Sequence, residues 1–142
     1  MSSVLLFSQK DVGALLSMKE CIRAVEEAFR LYGEGLTSKP GVLGVHAEGG
    51  GFHMKAGILD LGRKYFAAKL NGNFPDNQKK HSLPTIQGIL LLCDAVNGQP
   101  LALMDSIEIT IQRTGAATAV AAKHLARKDS STALICGCGL QG

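Results

Sequence analysis

The sequence contains no tryptophan, two tyrosines and five phenylalanines, so it offers little with which to stack nucleic-acid bases. Charge of one sign is also lacking. Fifteen Lys and Arg stand against twelve Asp and Glu, a net charge of +3, and apart from short pairs such as Lys79-Lys80 the basic residues are scattered, leaving no continuous phosphate-tracking stripe. No apolar run is long enough to cross a bilayer, and the opening "MSSVLLFSQKDVGALL" has no basic region ahead of its short apolar patch. The expected setting is cytoplasmic, with neither a membrane nor a nucleic-acid partner. The four cysteines, Cys21, Cys93, Cys136 and Cys138, fit neither a zinc pattern nor a disulfide ladder, and C-x-C is not the redox C-x-x-C. Free thiols in a reducing compartment and no metal site are expected.

What is present is enough for one ordinary core of 142 residues. "SQKD" from Ser8 and "SMKE" from Ser17 each set a hydroxyl three residues before an acid, the spacing of a reciprocal cap at a helix start. In the second helix Met18, Cys21, Ile22, Val25, Phe29 and Tyr32 form the apolar stripe, and Gly33 is the expected stop. Strand-like segments follow: "VLGVHA", then "FHMKAGIL" beyond a break at Gly49-Gly50-Gly51, then "YFAAKLNGNF". Two more, Gly88 to Ala95 and Pro100 to Met104, are joined by a hairpin turn at Asn97-Gly98. From Ser106 to about Arg127 the period becomes helical, with Ile107, Ile111, Thr114, Thr118, Ala121 and Leu125 on one side and many alanines keeping the helix slim. The expected fold is α+β, a mostly antiparallel sheet with packed helices.

The last segment reads differently. "TALIC" is a short strand-like run leading into Gly137-Cys138-Gly139-Leu140-Gln141-Gly142, a G-x-G-x-x-G. In a dinucleotide site such glycines allow a tight turn, backbone approach to the pyrophosphate, and close packing of the helix that follows. The acid that would hold the ribose belongs about twenty residues later. By itself this chain should bind NAD weakly or not at all.

Five segments, "FHMKAGIL", "AAKLNGNFPDN", "LPTIQGILLLCDAVNGQPLALMD", "ITIQRTGAATAVAAKHLAR" and "ALICGCGLQG", occur in an order and spacing that resembles the ornithine cyclodeaminase/mu-crystallin family. The resemblance covers nearly everything from Phe52 onward. It implies that residues 1–130 form a substrate-binding and dimerisation domain and that residues 131–142 begin a nicotinamide-binding Rossmann domain, NAD or NADP being the cofactor. The implied activity is that of an amino-acid cyclodeaminase or of an imine or ketimine reductase acting on small amino or imino acids, in a homodimer. In the cyclodeaminase reaction NAD takes a hydride from Cα, the side-chain amine attacks the imine, ammonia leaves and the hydride returns. The alternative is a non-catalytic, mu-crystallin-like binding or structural module.

The same resemblance assigns residues. Lys69 and Arg113 are the implied carboxylate ligands, Arg113 through its planar fork. Read without that context, each is an ordinary solvent-facing charge. His53 and Lys55 match a His-x-Lys-x-Gly variant seen in part of the family, where the lysine assists or replaces other carboxylate contacts; a surface pair beside a glycine is the plainer reading. Thr85 and Thr114 match positions beside the nicotinamide nucleotide, and Gly137, Gly139, Leu140, Gln141 and Gly142 match the phosphate turn. One arginine that some relatives carry before this strand has no counterpart, since "KPGVLGVHA" offers Lys39 alone. None of the twelve acids is a candidate general acid or base, so no catalytic residue is assigned and the chain alone is expected to be inactive.

Overall fold

The computed structural model describes residues 3–137 and Gly139. Its elements run β1 (Leu5–Phe7), α1 (Gln9–Leu15), α2 (Met18–Gly33), β2 (Gly41–Ala47), β3 (Gly50–Asp60), β4 (Lys64–Asn73), α3 (Asn77–His81), β5 (Ile86–Asp94), β6 (Pro100–Asp105) and α4 (Ile107–Leu125). The six strands form one sheet in the order β1-β6-β5-β4-β3-β2. All neighbours are antiparallel except β1, which lies parallel to β6. This is the expected α+β fold.

Both helix starts are capped as their spacing requires. The Ser8 N–H donates to the Asp11 carboxylate at 2.9 Å while the Asp11 N–H donates to the Ser8 hydroxyl, and Ser17 and Glu20 repeat the arrangement. The stop of α2 differs from expectation. Gly33 is still helical; the Leu36 N–H reaches the Leu31 carbonyl at 2.9 Å and the Gly35 N–H reaches that of Tyr32 at 3.1 Å. Gly35, at φ +72°, therefore supplies the left-handed residue that closes the helix. Its buried residues are Cys21 and Leu31, whereas Phe29 and Tyr32 of the expected stripe stay exposed.

The hairpins follow their turn chemistry. The three glycines do not break the ladder: Gly49 turns the chain, and Gly50 and Gly51 pair inside β3 with Ala47 and His46. Asn97-Gly98 turns between β5 and β6, where Asp94 is 6% exposed and accepts hydrogen bonds from the Val96 N–H at 2.7 Å and from Arg63 Nε at 3.0 Å. The Arg63 guanidinium holds the Asp94 carboxyl below the usual carboxylate range.

Two expectations fail for reasons of pairing. The expected stripe of α4 is not its core face: Thr110, Ala116 and Val120 are buried, while Thr118, Ala121 and Leu125 are exposed, Leu125 at 83%. Small residues let α4 lie against α2, where Lys123 and His124 both reach Glu26, so the bulkier side turns outward. Likewise, "TALIC" is not a strand. Residues 131–137 carry no regular structure, because a strand exists only by pairing and no ladder among the described residues includes them. Conversely β1 and α3 arise where no element was expected, β1 because β6 offers it a parallel edge. Among the described residues no helix is long and apolar enough to cross a membrane.

Gly88 fixes how α4 departs from the sheet. The Ser106 N–H donates to the Gly88 carbonyl at 3.0 Å, and the fully buried Ser106 hydroxyl donates to Asn71 Oδ1 at 2.8 Å. A Cβ on Gly88 would meet the Leu70 carbonyl, Asn71 Oδ1 at 2.5 Å and Ser106 Oγ at 2.8 Å. Backbone cannot yield as a flexible side chain would. Gly88→Ala is expected to lower unfolding free energy by about 3 kcal/mol, measured by urea denaturation. A variant as stable as the parent contradicts this packing.

Candidate ligand site where the sheet meets a helix

In the β3–β4 ladder Lys55 lies directly opposite Lys69, and the same cross-sheet row continues through Leu90 to Met104. Alternation puts all four on one face of the sheet. α4 lies over this face: Thr110 Oγ1 accepts from Lys69 Nζ at 3.5 Å, a long and weak bond. Arg113 stands three residues past Thr110, about one helical turn on. Lys69 is half-buried, whereas Lys55 and Arg113 remain exposed.

The electrostatics is one-sided. Burial lowers the affinity of Lys69 for its proton, and the positive charges of Arg113 and Lys55 lower it further. Among the described residues no carboxylate lies within 4 Å of any of the three, since every ion pair uses other cations. The acids at the head of α4 are committed elsewhere. Asp105 accepts from the Ile107 N–H at 2.7 Å and Glu108 from Gln112 Nε2 at 2.9 Å. Like charges set opposite each other across a ladder destabilise a sheet. Three of them together make a place where an anion is stabilised.

Beside this cluster opens a groove of about 940 Å³, bounded by Thr85, Ile86, Ile107, Thr110 and Ile111 and by Leu134, Ile135, Gly137 and Gly139 of the tail. That volume lies within the range of small-molecule sites. Thr110 belongs to both features and joins them. Its walls combine isoleucine side chains with the threonines Thr85 and Thr110. Gly137, at φ +103° with open space where a Cβ would stand, fits a backbone that comes close to a ligand.

The structure brings Lys69, Arg113 and Lys55 together, and it places Thr85, Gly137 and Gly139 on the groove. His53 sits one row along the same sheet face, opposite Asn71, and is exposed. Thr114 is not on the groove wall; its hydroxyl donates to the Thr110 carbonyl at 2.7 Å, a local bond within α4. Leu140, Gln141 and Gly142 lie outside the described residues. Sequence reasoning missed Thr110 and the Asn71–Ser106 bond. Period two from Lys69 and one helical turn back from Arg113 were the signals that could have found them.

The model of the ornithine cyclodeaminase/mu-crystallin family matches residues 3–142. An alanine dehydrogenase of Archaeoglobus fulgidus is 41% identical over 138 residues, 96% of this chain and 41% of the relative. Among solved structures, an archaeal alanine dehydrogenase dimer with bound NAD superposes with a TM-score of 0.91 at 40% identity, covering 97% of this chain and 42% of that one. The Δ1-pyrroline-2-carboxylate reductase of Thermococcus litoralis, in complex with NADH and L-proline, gives 0.85 at 40% identity, covering 97% of this chain and 43% of that one. The chain thus spans about two fifths of the length of these relatives.

The charge cluster has a measurable consequence for stability. Folding depresses the Lys69 pKa, so between that depressed value and the ordinary value of 10.5 the unfolded chain binds more protons than the folded one. The contribution of Lys69 to stability therefore rises with pH through that window. Lys69→Met should melt at a higher temperature than the parent near neutral pH, and the advantage should shrink above pH 10.5. A pH-independent difference in melting temperature contradicts the cluster.

Proposed function

The chain belongs to the ornithine cyclodeaminase/mu-crystallin family, and from that premise we propose that it forms the substrate-binding part of an NAD(P)-dependent reductase or cyclodeaminase of small amino or imino acids. The observation that carries this is the meeting of Lys55, Lys69 and Arg113, with no counter-ion among the described residues, beside a groove of nucleotide size. In this reading residues 1–130 are the substrate and dimerisation domain and residues 131–142 open the cofactor domain. Relatives of both reductive kinds, acting on alanine and on pyrroline-2-carboxylate, support the reductase side.

The geometry supports one division of labour. Arg113 offers two parallel N–H groups to the substrate carboxylate, and Lys69 and Lys55 supply charge from the sheet. Thr110, bonded to Lys69, orients that side chain toward the helix. Ile107 and Ile111 exclude water from the side of the groove where the reacting carbon would meet the cofactor. A nicotinamide bound there supplies hydride chemistry at Cα. Thr85, Gly137 and Gly139 are the described residues that would hold it, with Leu140, Gln141 and Gly142 beyond them.

A homodimer is part of the proposal. On the sheet face opposite the cations, Leu43, Met54, Leu70 and Ile89 lie in one cross-strand row, and all are more than a third exposed. Phe52, Val45 and Ile58 extend the exposed apolar surface. A continuous apolar face of this kind marks a protein interface, and the archaeal alanine dehydrogenase was solved as a dimer.

Two outcomes are expected. Titration with pyruvate or L-proline, followed by NMR, should show binding that Arg113→Ala weakens at least tenfold, about 1.4 kcal/mol; equal affinity in the variant contradicts the role of Arg113. Sedimentation should show a dimer that Met54→Lys converts to monomer, and a variant that remains dimeric moves the interface elsewhere.

A further inference from the structure

The groove takes the β5 and α4 side of the cation cluster, where Thr85, Ile86 and Thr110 line it, and leaves the β3 side for the rest of a ligand held at Lys69. On that side the next cross-strand row of the same sheet face runs Gly44, His53, Asn71, Gly88. Glycine at both ends keeps the row low. The exposed His53 ring passes over Gly44, where a Cβ would stand 3.6 Å from Nδ1. Asn71 Oδ1 is taken by the Ser106 hydroxyl at 2.8 Å, and the NH2 group of Asn71 has no partner among the described hydrogen bonds. Imidazole and amide therefore both offer N–H donors beside the cations. In this row and the two that flank it, β2 to β5 place no Asp or Glu on this face. Three cations around a single carboxylate keep a surplus of positive charge, which a second carboxylate offsets.

We propose that the site selects dicarboxylic substrates, 2-oxo or imino acids of four or five carbons, with the first carboxylate at Lys69 and Arg113 and the distal one at His53 and Asn71. This rests on the reading of the site as a carboxylate pocket and names what lies at the other end of the substrate. Rows two residues apart are separated by about 7 Å along a strand, so side chains closing from both rows grip the ends of a chain of that length. Lys55, next to His53 on its face of β3 and opposite Lys69 on β4, serves both ends. An imidazole donates an N–H when neutral as well as when charged, so the distal contact does not require a protonated His53. A monocarboxylate leaves both donors to water, and the difference in affinity between the two acids is the specificity. A diamino acid would set an ammonium beside Lys55, a like-charge contact that costs affinity.

The test is NMR titration of the chain, at fixed ionic strength, with succinate and glutarate against butyrate, pentanoate and 4-aminobutyrate. At least one diacid should bind at least tenfold more tightly than the monoacid of the same length, and 4-aminobutyrate should bind no better than butyrate. His53→Ala should bring diacid and monoacid within threefold of each other. A tenfold preference that survives His53→Ala, or 4-aminobutyrate binding more tightly than succinate, overturns the proposal. A diacid that binds no more tightly than its monoacid, while the monoacid binds at Lys69 and Arg113, defeats the second carboxylate alone. Absence of binding by every acid defeats the carboxylate pocket as well.

Discussion

Lys55 and Lys69 stand opposite each other across the β3–β4 ladder, and the fold must hold these like charges together while α4 lowers a third, Arg113, beside them. Nothing in the described structure neutralises the group, so its repulsion is a standing cost that only an anionic guest relieves. The scaffold is built to bear that cost. Asn71, two residues from Lys69 on the same strand face, accepts from buried Ser106, whose N–H donates to Gly88. These bonds tie β4, β5 and the start of α4 into one rigid junction, and the ion positions follow from it.

The period of two along each strand links this site to the rest of the molecule. One sheet face carries His53, Lys55, Lys69 and Asn71 toward the helix; the other carries Leu43, Met54, Leu70 and Ile89 outward. A register slip of one residue would exchange the two sets and destroy ligand site and apolar surface together. Ligand recognition and self-association thus depend on the same alternation.

Much of this was legible in the sequence because it is local chemistry. The Ser8 and Ser17 caps, the Asn97-Gly98 turn and five of the six strands follow from spacing within a few residues. The face of α4 was misread because burial there is decided by a distant partner: α2 packs against α4, and Ala116 and Val120 are buried, a choice that the periodicity of Ile107 and Ile111 does not contain. β1 escaped for the same reason, its existence resting on an edge presented by β6 some hundred residues later. Lys69 and Arg113 were picked out by resemblance rather than by physics. Thr110, which connects them to the groove, became visible only when strand and helix were placed together.

The central claim is that three cations converge on a place for one organic anion. The most direct measurement is the pH titration of lysine side chains by carbon-detected NMR, with and without propionate. Lys69 should titrate below the exposed lysines in the free chain and move upward when propionate binds, because an anion favours its charged form. A Lys69 that titrates with the surface lysines, and ignores propionate, contradicts the account.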